Sequence, residues 1–282
     1  MISKAHRFAH EAMDTAFEIH IADQPAEYAR GAAQAAFAEI DRIEGYLSRF
    51  MESSDVSRIN ILGAKEPVRV SLETFECLQL TARISAETNG AFDVTRVRDG
   101  MKKVEFDKKN FAIRLKDANV KIDLGGIGKG FALDKVAAFL RDWSIESTLL
   151  HGGDSSVLAV GAPPGEDGWP VGVGSGMEEE DRPEPILLRD RALSASGTSV
   201  KGEHIIDPRT GQPAQGAIRA WASCSSATIS DGLSTAFMVM DRKDVERYCH
   251  EHKDTWAILL IEDERGRRLV GYGQYAPAVG LP

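Results

Sequence analysis

Four glycines crowd into the segment IDLGGIGKGFALDK, at positions 125, 126, 128 and 130. The pattern is typical of a strand that runs through a turn into a helix. Glycines let the backbone approach a ligand closely, and the unpaired N–H groups at a helix start attract phosphate. Lysine suits a point contact to phosphate, but Lys129 could equally be a solvated side chain beside a turn. The segment therefore indicates either a phosphate-binding turn or a tight turn without a ligand.

Neither of two familiar phosphate loops fits this segment. The dinucleotide fingerprint G-x-G-x-x-G fails because residue 131 is Phe. The P-loop G-x-x-x-x-G-K-[ST] fails because residue 123 is Asp and residue 130 is Gly. Any phosphate chemistry here must use another arrangement.

A carboxylate and a hydroxyl stand four residues apart in SSATISDGLSTAFMVM, at Asp231 and Thr235. On a helix this spacing puts both side chains on one face, one turn apart. Both are hard oxygen donors of the kind that Mg²⁺ accepts. The alternative is that Asp231 only stabilises a helix N-terminus, where a carboxylate is favoured by the dipole and by unpaired amides.

A short apolar strand and an Asp-Pro…Gly turn make up the segment GEHIIDPRTGQP at 202–213. Pro208 fixes φ and Gly211 tolerates the reversal, so the turn needs no functional explanation. His204 either moves a proton or holds the strand through a hydrogen bond, because histidine serves both uses.

Two segments nearer the N-terminus each carry a phenylalanine: LSRFMESSDVSRIN holds Phe50 and TNGAFDVT holds Phe92. Each ring offers a stacking surface, or else packs in the core as phenylalanine usually does. Taken together with HGGDSSVLAVG at 151–161, the five segments above resemble the ApbE family, the FAD:protein FMN transferases. The resemblance runs from about Met13 to about Gly273.

The resemblance implies FAD as substrate, Mg²⁺ as cofactor, and as partner an acceptor flavoprotein that carries a Thr or Ser flavinylation site. It implies a metal site formed by the Gly126 carbonyl, Asp231 and Thr235, and catalytic roles for Asp231 and His204. The residues that it places at the FAD site are Met13, Phe50, Ala91, Phe92, Asp93, Lys129 and Ile205.

The implied reaction is phosphoryl transfer, in which the acceptor hydroxyl attacks the phosphorus on the FMN side of FAD and AMP leaves. The alternatives are an FAD pyrophosphatase that yields FMN and AMP, and a non-catalytic FAD-binding protein. The chain departs from the family pattern at Asp14, where glycine is common, and at Phe50, where Tyr or Asn is frequent. The connection after Thr95 is also shorter than usual.

Helices and strands that must position these residues are predicted in a mixed order along the sequence. Periodicity predicts helices over 26–50, 72–88, 131–143, 230–240 and 242–252. It predicts strands over 13–21, 103–106, 111–115, 119–124 and near 219–224, a strand-turn pattern through 147–160 and 169–173, and a strand from 186 onward. The strand WAILLI and a hairpin-like segment close the sequence. The order lacks a strict βαβ repeat, which favours an α+β fold. We expect one ApbE-like, T-fold-like domain over residues 1–282, with two lobes of mixed antiparallel sheet and packed helices and a flexible segment over residues 1–12.

The composition restricts the kinds of partner and the compartment that we expect for this protein. With 34 basic and 43 acidic residues the net charge is −9, which argues against an extended nucleic-acid footprint or an anionic membrane surface. Three widely spaced cysteines do not suit a disulfide framework and fit a reducing compartment. No stretch has the apolar character of a membrane span or a signal peptide, so we expect a cytoplasmic protein. The central expectation is spatial: the glycine turn near residue 126 and the helix at Asp231 should meet.

Overall fold

The computed structural model describes residues 5–95, 97–173, 182–197, 206–214, 216–264 and 266–274. In these ranges the α-helices are α1 (Ala26–Leu47), α2 (Asp55–Leu62), α3 (Leu72–Glu87), α4 (Gly128–Asp142), α5 (Ala227–Val239) and α6 (Arg242–Glu251). The strands are β1 (Ala5–Ala12), β2 (Thr15–Ala22), β3 (Val68–Arg69), β4 (Val104–Asp107), β5 (Ala112–Leu115), β6 (Thr148–Gly152), β7 (Ser156–Val160), β8 (Trp169–Val171), β9 (Ile186–Leu188), β10 (Arg191–Gly197), β11 (Arg219–Cys224), β12 (Trp256–Asp263) and β13 (Gly266–Tyr272). A 3-10 turn spans Gly100–Lys103.

A large antiparallel sheet organises the described part of the chain, in the order β1-β2-β6-β7-β10-β11-β12-β13. Successive side chains on a strand point to opposite faces. In β7, Leu158 joins the core beneath the helices, whereas Val157 and Ala159 join a second core on the other face. That second face is covered by the β8–β9 pair, whose Trp169 is fully buried. The sheet is therefore buried on both sides where it carries β7.

A smaller lobe consists of the sheet β3-β5-β4 with α2 and α3 beside it. Its packing includes the Phe75 ring of α3, which meets Phe106 edge-on at 5.7 Å between centroids. The predicted α+β class with antiparallel sheets is confirmed. Among the helices of the described ranges, none combines the length and the apolar character needed to cross a bilayer.

The helix predicted over 26–50 ends earlier than expected, at Leu47, and a separate helix α2 follows the loop. Ser54 caps α2 by accepting a hydrogen bond of 3.0 Å from the amide of Ser57. The buried side chains of Val56 and Ile59 anchor this helix to the core. The polar run that contains α2 concealed it, because Ser54 and Asp55 are buried polar residues: Ser54 caps the helix, and the Asp55 carboxylate accepts from the Ser71 amide at 2.8 Å.

The strand predicted over 119–124 is wrong, since this stretch forms an isolated bridge between Thr95 and Ile122. The side chain of Asn60 takes the place of a strand neighbour. Its amide donates to the Ile122 carbonyl at 2.9 Å, and its oxygen accepts from the Ile122 amide at 2.7 Å. The segment that leads into the glycine turn is thus held by α2.

The structure also differs from the prediction at the N-terminus and at the first residue of α4. Residues 5–12 belong to the stretch for which we expected flexibility, yet they form β1 and pair with β2 along its length. Helix α4 begins at Gly128 rather than near Phe131, so two of the four glycines are helical.

Candidate active site

The glycine turn and helix α5 meet. The amide of Gly130 donates a hydrogen bond of 3.0 Å to Oδ2 of Asp231, across 101 positions of chain. A Cβ added to Gly130 would lie 2.2 Å from the carbonyl oxygen of Ala227, so only glycine permits this approach of the two helices. The spatial relationship expected from the two segments is therefore present.

Asp231 is a buried carboxylate with neutral partners. It is 4% exposed, and its Oδ1 accepts a hydrogen bond of 3.0 Å from the hydroxyl of Ser156 on β7. Together with Gly130, this gives the carboxylate two uncharged donors and, among the described residues, no ion pair. Burying a carboxylate costs free energy unless a positive charge lies beside it, and the two neutral donors of Asp231 do not supply that charge.

Thr235 and Gly126 lie at the same place. The Thr235 hydroxyl is 3.1 Å from the hydroxyl of Ser196 on β10. A Cβ built on Gly126 would come within 3.5 Å of Thr235 Oγ1 and 3.5 Å of the Phe92 ring. The fold thus brings together all three residues for which the resemblance implied a metal site: Gly126, Asp231 and Thr235.

The donor set favours a hard cation over zinc. In the described ranges, no group of three or more His, Cys, Asp or Glu side chains converges as a metal site. The side-chain oxygens that the structure brings to this place are the Asp231 carboxylate and the Thr235 hydroxyl, with the Gly126 backbone beside the hydroxyl, and both are donors of the kind that Mg²⁺ accepts. Burial raises the pKa of the nearby Cys77 thiol, and the negative charge of Asp231 raises it further, so this sulfur stays protonated.

Asp134 of α4 fixes the start of α5. Its carboxylate accepts hydrogen bonds from the hydroxyl of Ser226 at 2.7 Å and from the amide of Ala227 at 2.8 Å. It also accepts from the amide and the hydroxyl of Thr228, at 2.9 and 2.6 Å. These bonds satisfy orphan donors of the first turn of α5 and lock it to α4. Sequence reasoning missed this role, because nothing within the α4 segment shows that its aspartate faces another helix.

A cavity of about 150 Å³ opens beside the glycine turn. The residues that line it are Met13, Asp14, Glu44, Leu47, Ser48, Arg49, Phe50, Asp123, Leu124, Gly125, Gly128 and Lys129. Three of the residues expected at the FAD site, Met13, Phe50 and Lys129, therefore share one cleft. The amino group of Lys129 lies 3.5 Å from the Gly125 carbonyl, at the edge of hydrogen-bond range.

The side chain of Phe50 stands out into this cleft and is 78% exposed. The guanidinium of Arg49 lies over its ring at 4.1 Å from the centroid and forms an ion pair of 2.9 Å with Asp123. Asp123 also accepts from the amide of Gly125 at 3.1 Å. Arg49 and Asp123, neither singled out from the sequence, thus connect the aromatic ring to the glycine turn.

Met13 and Asp14 form the two-residue turn between β1 and β2, with φ of 51° and 58°. Both are in the left-handed region that a hairpin of this length requires. Asp14 tolerates this conformation better than most residues other than glycine. The departure from the family pattern at this position thus leaves the turn intact and adds a carboxylate to the cleft.

Ala91, Phe92 and Asp93 lie behind the turn. Ala91 and Phe92 are 1% and 3% exposed, and a Cβ added to Gly126 or to Gly232 would lie 3.5 or 3.4 Å from the Phe92 ring. The Asp93 carboxylate accepts from the amide and the hydroxyl of Thr95 at 2.8 and 2.7 Å. In this structure Phe92 packs in the core as a support for the turn and α5, while Asp93 orders its own loop.

His204 and Ile205 fall outside the described residues. The turn that follows them is described: Asp207 forms an ion pair of 2.8 Å with Arg209. Arg209 also donates to the carbonyl of Val239 at 2.9 Å, at the C-terminal end of α5. The Asp-Pro…Gly turn is therefore attached to the same helix that carries Asp231.

The fold and the site together define a class of protein: an α+β protein whose candidate site lies where the glycine-rich turn before α4 meets the first turns of α5. The chain belongs to the ApbE family, whose model matches residues 13–98 and 96–260. The family membership predicted from the separate segments is confirmed.

Relatives and solved structures agree with this assignment. An FAD:protein FMN transferase of Vibrio cholerae serotype O1 is 25% identical over 72% of this chain and 72% of its own. The flavin transferase ApbE from Vibrio cholerae superposes with a TM-score of 0.85 at 21% identity, covering 97% of this chain and 99% of that one. The ApbE protein from Thermotoga maritima gives a TM-score of 0.82 at 28% identity, over 95% and 97% of the two chains.

Proposed function

We propose that this protein is an FAD:protein FMN transferase that moves FMN from FAD to a Thr or Ser hydroxyl of a partner flavoprotein and releases AMP. Family membership supplies the reaction class, and the relatives of 25% identity or less that carry this name support it. The single observation that carries the proposal in this chain is the Gly130–Asp231 hydrogen bond, which brings a phosphate-type turn against a buried carboxylate.

The residues present fit a Mg²⁺ ion. Asp231 is a buried carboxylate without a described cationic partner, Thr235 offers a hydroxyl, and the small size of Gly126 keeps the space beside that hydroxyl open. Asp231, Thr235 and the Gly126 carbonyl would hold the ion. When bound, Mg²⁺ would offset the negative charge that develops on the phosphate oxygens.

In the proposed reaction the acceptor oxygen forms a bond to the phosphorus on the FMN side, and the bond from that phosphorus to the AMP oxygen breaks. The hydroxyl proton passes to a base, for which His204 is our candidate. The main work of the chain is alignment, since phosphoryl transfer depends on positioning and charge stabilisation. Lys129 would approach the pyrophosphate from the cleft.

The flavin half of FAD is assigned to the cleft of about 150 Å³ beside the turn. There Phe50 presents an exposed ring for stacking and Met13 forms part of the wall. Asp93 and Ile205 would border the proposed FAD site, and Ala91 and Phe92 would support it from behind the turn, where both are buried. The cytoplasmic location is part of the proposal and rests on three cysteines that are buried and free.

The test uses purified protein, FAD, Mg²⁺ and an acceptor flavoprotein domain with a Thr or Ser flavinylation site. Transfer predicts flavin fluorescence on the denatured acceptor together with an equimolar amount of AMP. Asp231→Asn should lower the rate by about 100-fold or more, because it removes the charge that holds the cation. The matched control is Asp142→Asn, at the exposed end of α4.

Other outcomes assign other functions. Equimolar free FMN and AMP with an unmodified acceptor would show a pyrophosphatase. FAD that stays intact on the protein, with no AMP, would show a binding protein. Wild-type rates in Asp231→Asn would refute the proposed site.

A further inference from the structure

Polar side chains line the sheet where it contacts α5. Ser196 of β10 faces this helix, and its hydroxyl lies 2.8 Å from that of Ser234 and 3.1 Å from that of Thr235. Ser194, two positions earlier on the same strand face, is fully buried and has no described hydrogen-bond partner. The two serines of one strand face thus differ in their hydrogen bonding: Ser196 belongs to a chain of hydroxyls, whereas the fully buried Ser194 has no described partner.

The direction of each hydrogen bond in this chain follows from counting hydrogens. Ser234 lies 2.8 Å from the carbonyl oxygen of Asp231, which can only accept, so Ser234 must donate its one hydrogen there. Ser196 must then be the donor to Ser234, since Ser234 has no second hydrogen. With its hydrogen committed, Ser196 can only accept from Thr235.

In this series of hydrogen bonds, Thr235 therefore donates to Ser196, Ser196 donates to Ser234, and Ser234 donates to the Asp231 carbonyl. A hydroxyl that binds a cation must direct lone pairs at the ion and its hydrogen elsewhere. The described hydrogen bonds of Thr235 meet this requirement. We propose that Ser196 and Ser234 are positioning residues that hold the Thr235 hydroxyl with its lone pairs toward a divalent cation shared with Asp231. This inference rests on the proposed function, because it concerns the same site.

The experiment measures cation binding to the purified protein without FAD, so that binding is scored separately from turnover. Mn²⁺ is the probe, and electron paramagnetic resonance counts the free ion during a titration. Ser196→Ala removes the acceptor for the Thr235 hydrogen and should weaken Mn²⁺ binding roughly three- to tenfold, the value of one hydrogen bond. Ser196→Thr restores the hydroxyl and should recover most of the affinity.

Ser234→Ala tests the direction of the chain. Without Ser234, Ser196 is free to donate to Thr235, which would occupy a lone pair and turn the Thr235 hydrogen toward the ion. We expect a loss of Mn²⁺ affinity comparable to that of Ser196→Ala, even though Ser234 donates its own hydrogen to the Asp231 carbonyl and not to Thr235. Ser194→Ala is the matched control and should bind Mn²⁺ like the wild type. Melting temperatures without metal identify any variant that acts by unfolding.

Two results would overturn the inference. One is an affinity in Ser196→Ala and Ser234→Ala equal to that of Ser194→Ala. The other is a wild-type protein that does not bind Mn²⁺. Flavin transfer to the acceptor, measured on the same preparations, decides the proposed function independently, since transfer with unchanged Mn²⁺ binding in these variants would contradict only the role of the serines.

Discussion

Asp134 accepts two hydrogen bonds from one residue, Thr228: from its amide at 2.9 Å and from its hydroxyl at 2.6 Å. Thr228 is fully buried in the first turn of α5. Through this contact a single carboxylate of α4 holds the start of α5. The same two helices place Gly130 beside Asp231.

We expect Asp134→Ala to lower the free energy of unfolding by about 2–4 kcal/mol, because it leaves several helix-start donors without their acceptor. Urea unfolding measures this change. Asp142→Ala, at the exposed C-terminal end of the same helix, is the control and should stay within about 0.5 kcal/mol of the wild type. Equal stability of the two variants would show that Asp134 does not hold the start of α5.

The two helical glycines of α4 should respond in opposite ways to alanine. Gly130→Ala places a Cβ 2.2 Å from a backbone oxygen of α5, so we expect a loss of about 1–3 kcal/mol and a lower transfer rate. Gly128→Ala meets nothing within 4 Å and should raise stability by up to about 1 kcal/mol, since alanine favours a helix. Urea midpoints compare the two. A tolerated Gly130→Ala would contradict the close approach of the helices.

The exposed ring of Phe50 should contribute to ligand binding and little to folding. We expect Phe50→Ala to weaken FAD binding by about tenfold, because it removes an aromatic stacking surface, while unfolding changes by less than about 0.5 kcal/mol. Quenching of flavin fluorescence gives the affinity. Leu187→Ala, an exposed apolar residue of β9 outside the cleft, is the control. Wild-type affinity in Phe50→Ala would place the flavin elsewhere.

The partly buried pair His20 and His151, whose ring centroids lie 5.5 Å apart, predicts acid sensitivity. Burial, and to a smaller extent the charge of nearby His20, lower the pKa of His151 to about 4. The unfolded chain takes up this proton near pH 6.5, so between about pH 6.5 and 4 the unfolded state binds more protons and stability falls as the pH falls. The loss is at most about 1.4 kcal/mol per pH unit for this group. The titratable residues that act on His151 are His20, Glu18, Arg7 and Asp154.

Urea unfolding at pH 7.5 and pH 5.0 measures this effect. His151→Gln should show a smaller decrease in stability between the two pH values than the wild type. His250→Gln, whose ring is exposed on α6, is the control. If His151→Gln loses as much stability as the wild type, the acid sensitivity arises from other groups.

Much of the fold followed from local patterns. The helix predicted over 72–88 and the strand near 219–224 match α3 and β11 closely, because an apolar stripe or a buried run identifies each element without knowledge of its neighbours. Two of the failures lie in the segment around α2, where side chains make the hydrogen bonds that identify the local structure. Asn60 takes the place of a strand beside Ile122, and Ser54 starts a helix within a polar run.

The sequence by itself determined the family and the identity of the reactive groups: a glycine turn, a carboxylate and a hydroxyl one helical turn apart, and an aromatic ring next to a polar loop. Short-range spacing was sufficient for these, since each group lies within one segment. Only the tertiary structure decided which groups touch. The contact of Gly130 with Asp231, the capping of α5 by Asp134 and the hydroxyl chain through Ser196 join residues far apart in the chain. These contacts depend on how α4, α5 and the sheet pack together, and this packing cannot be predicted from the sequence pattern of any one segment.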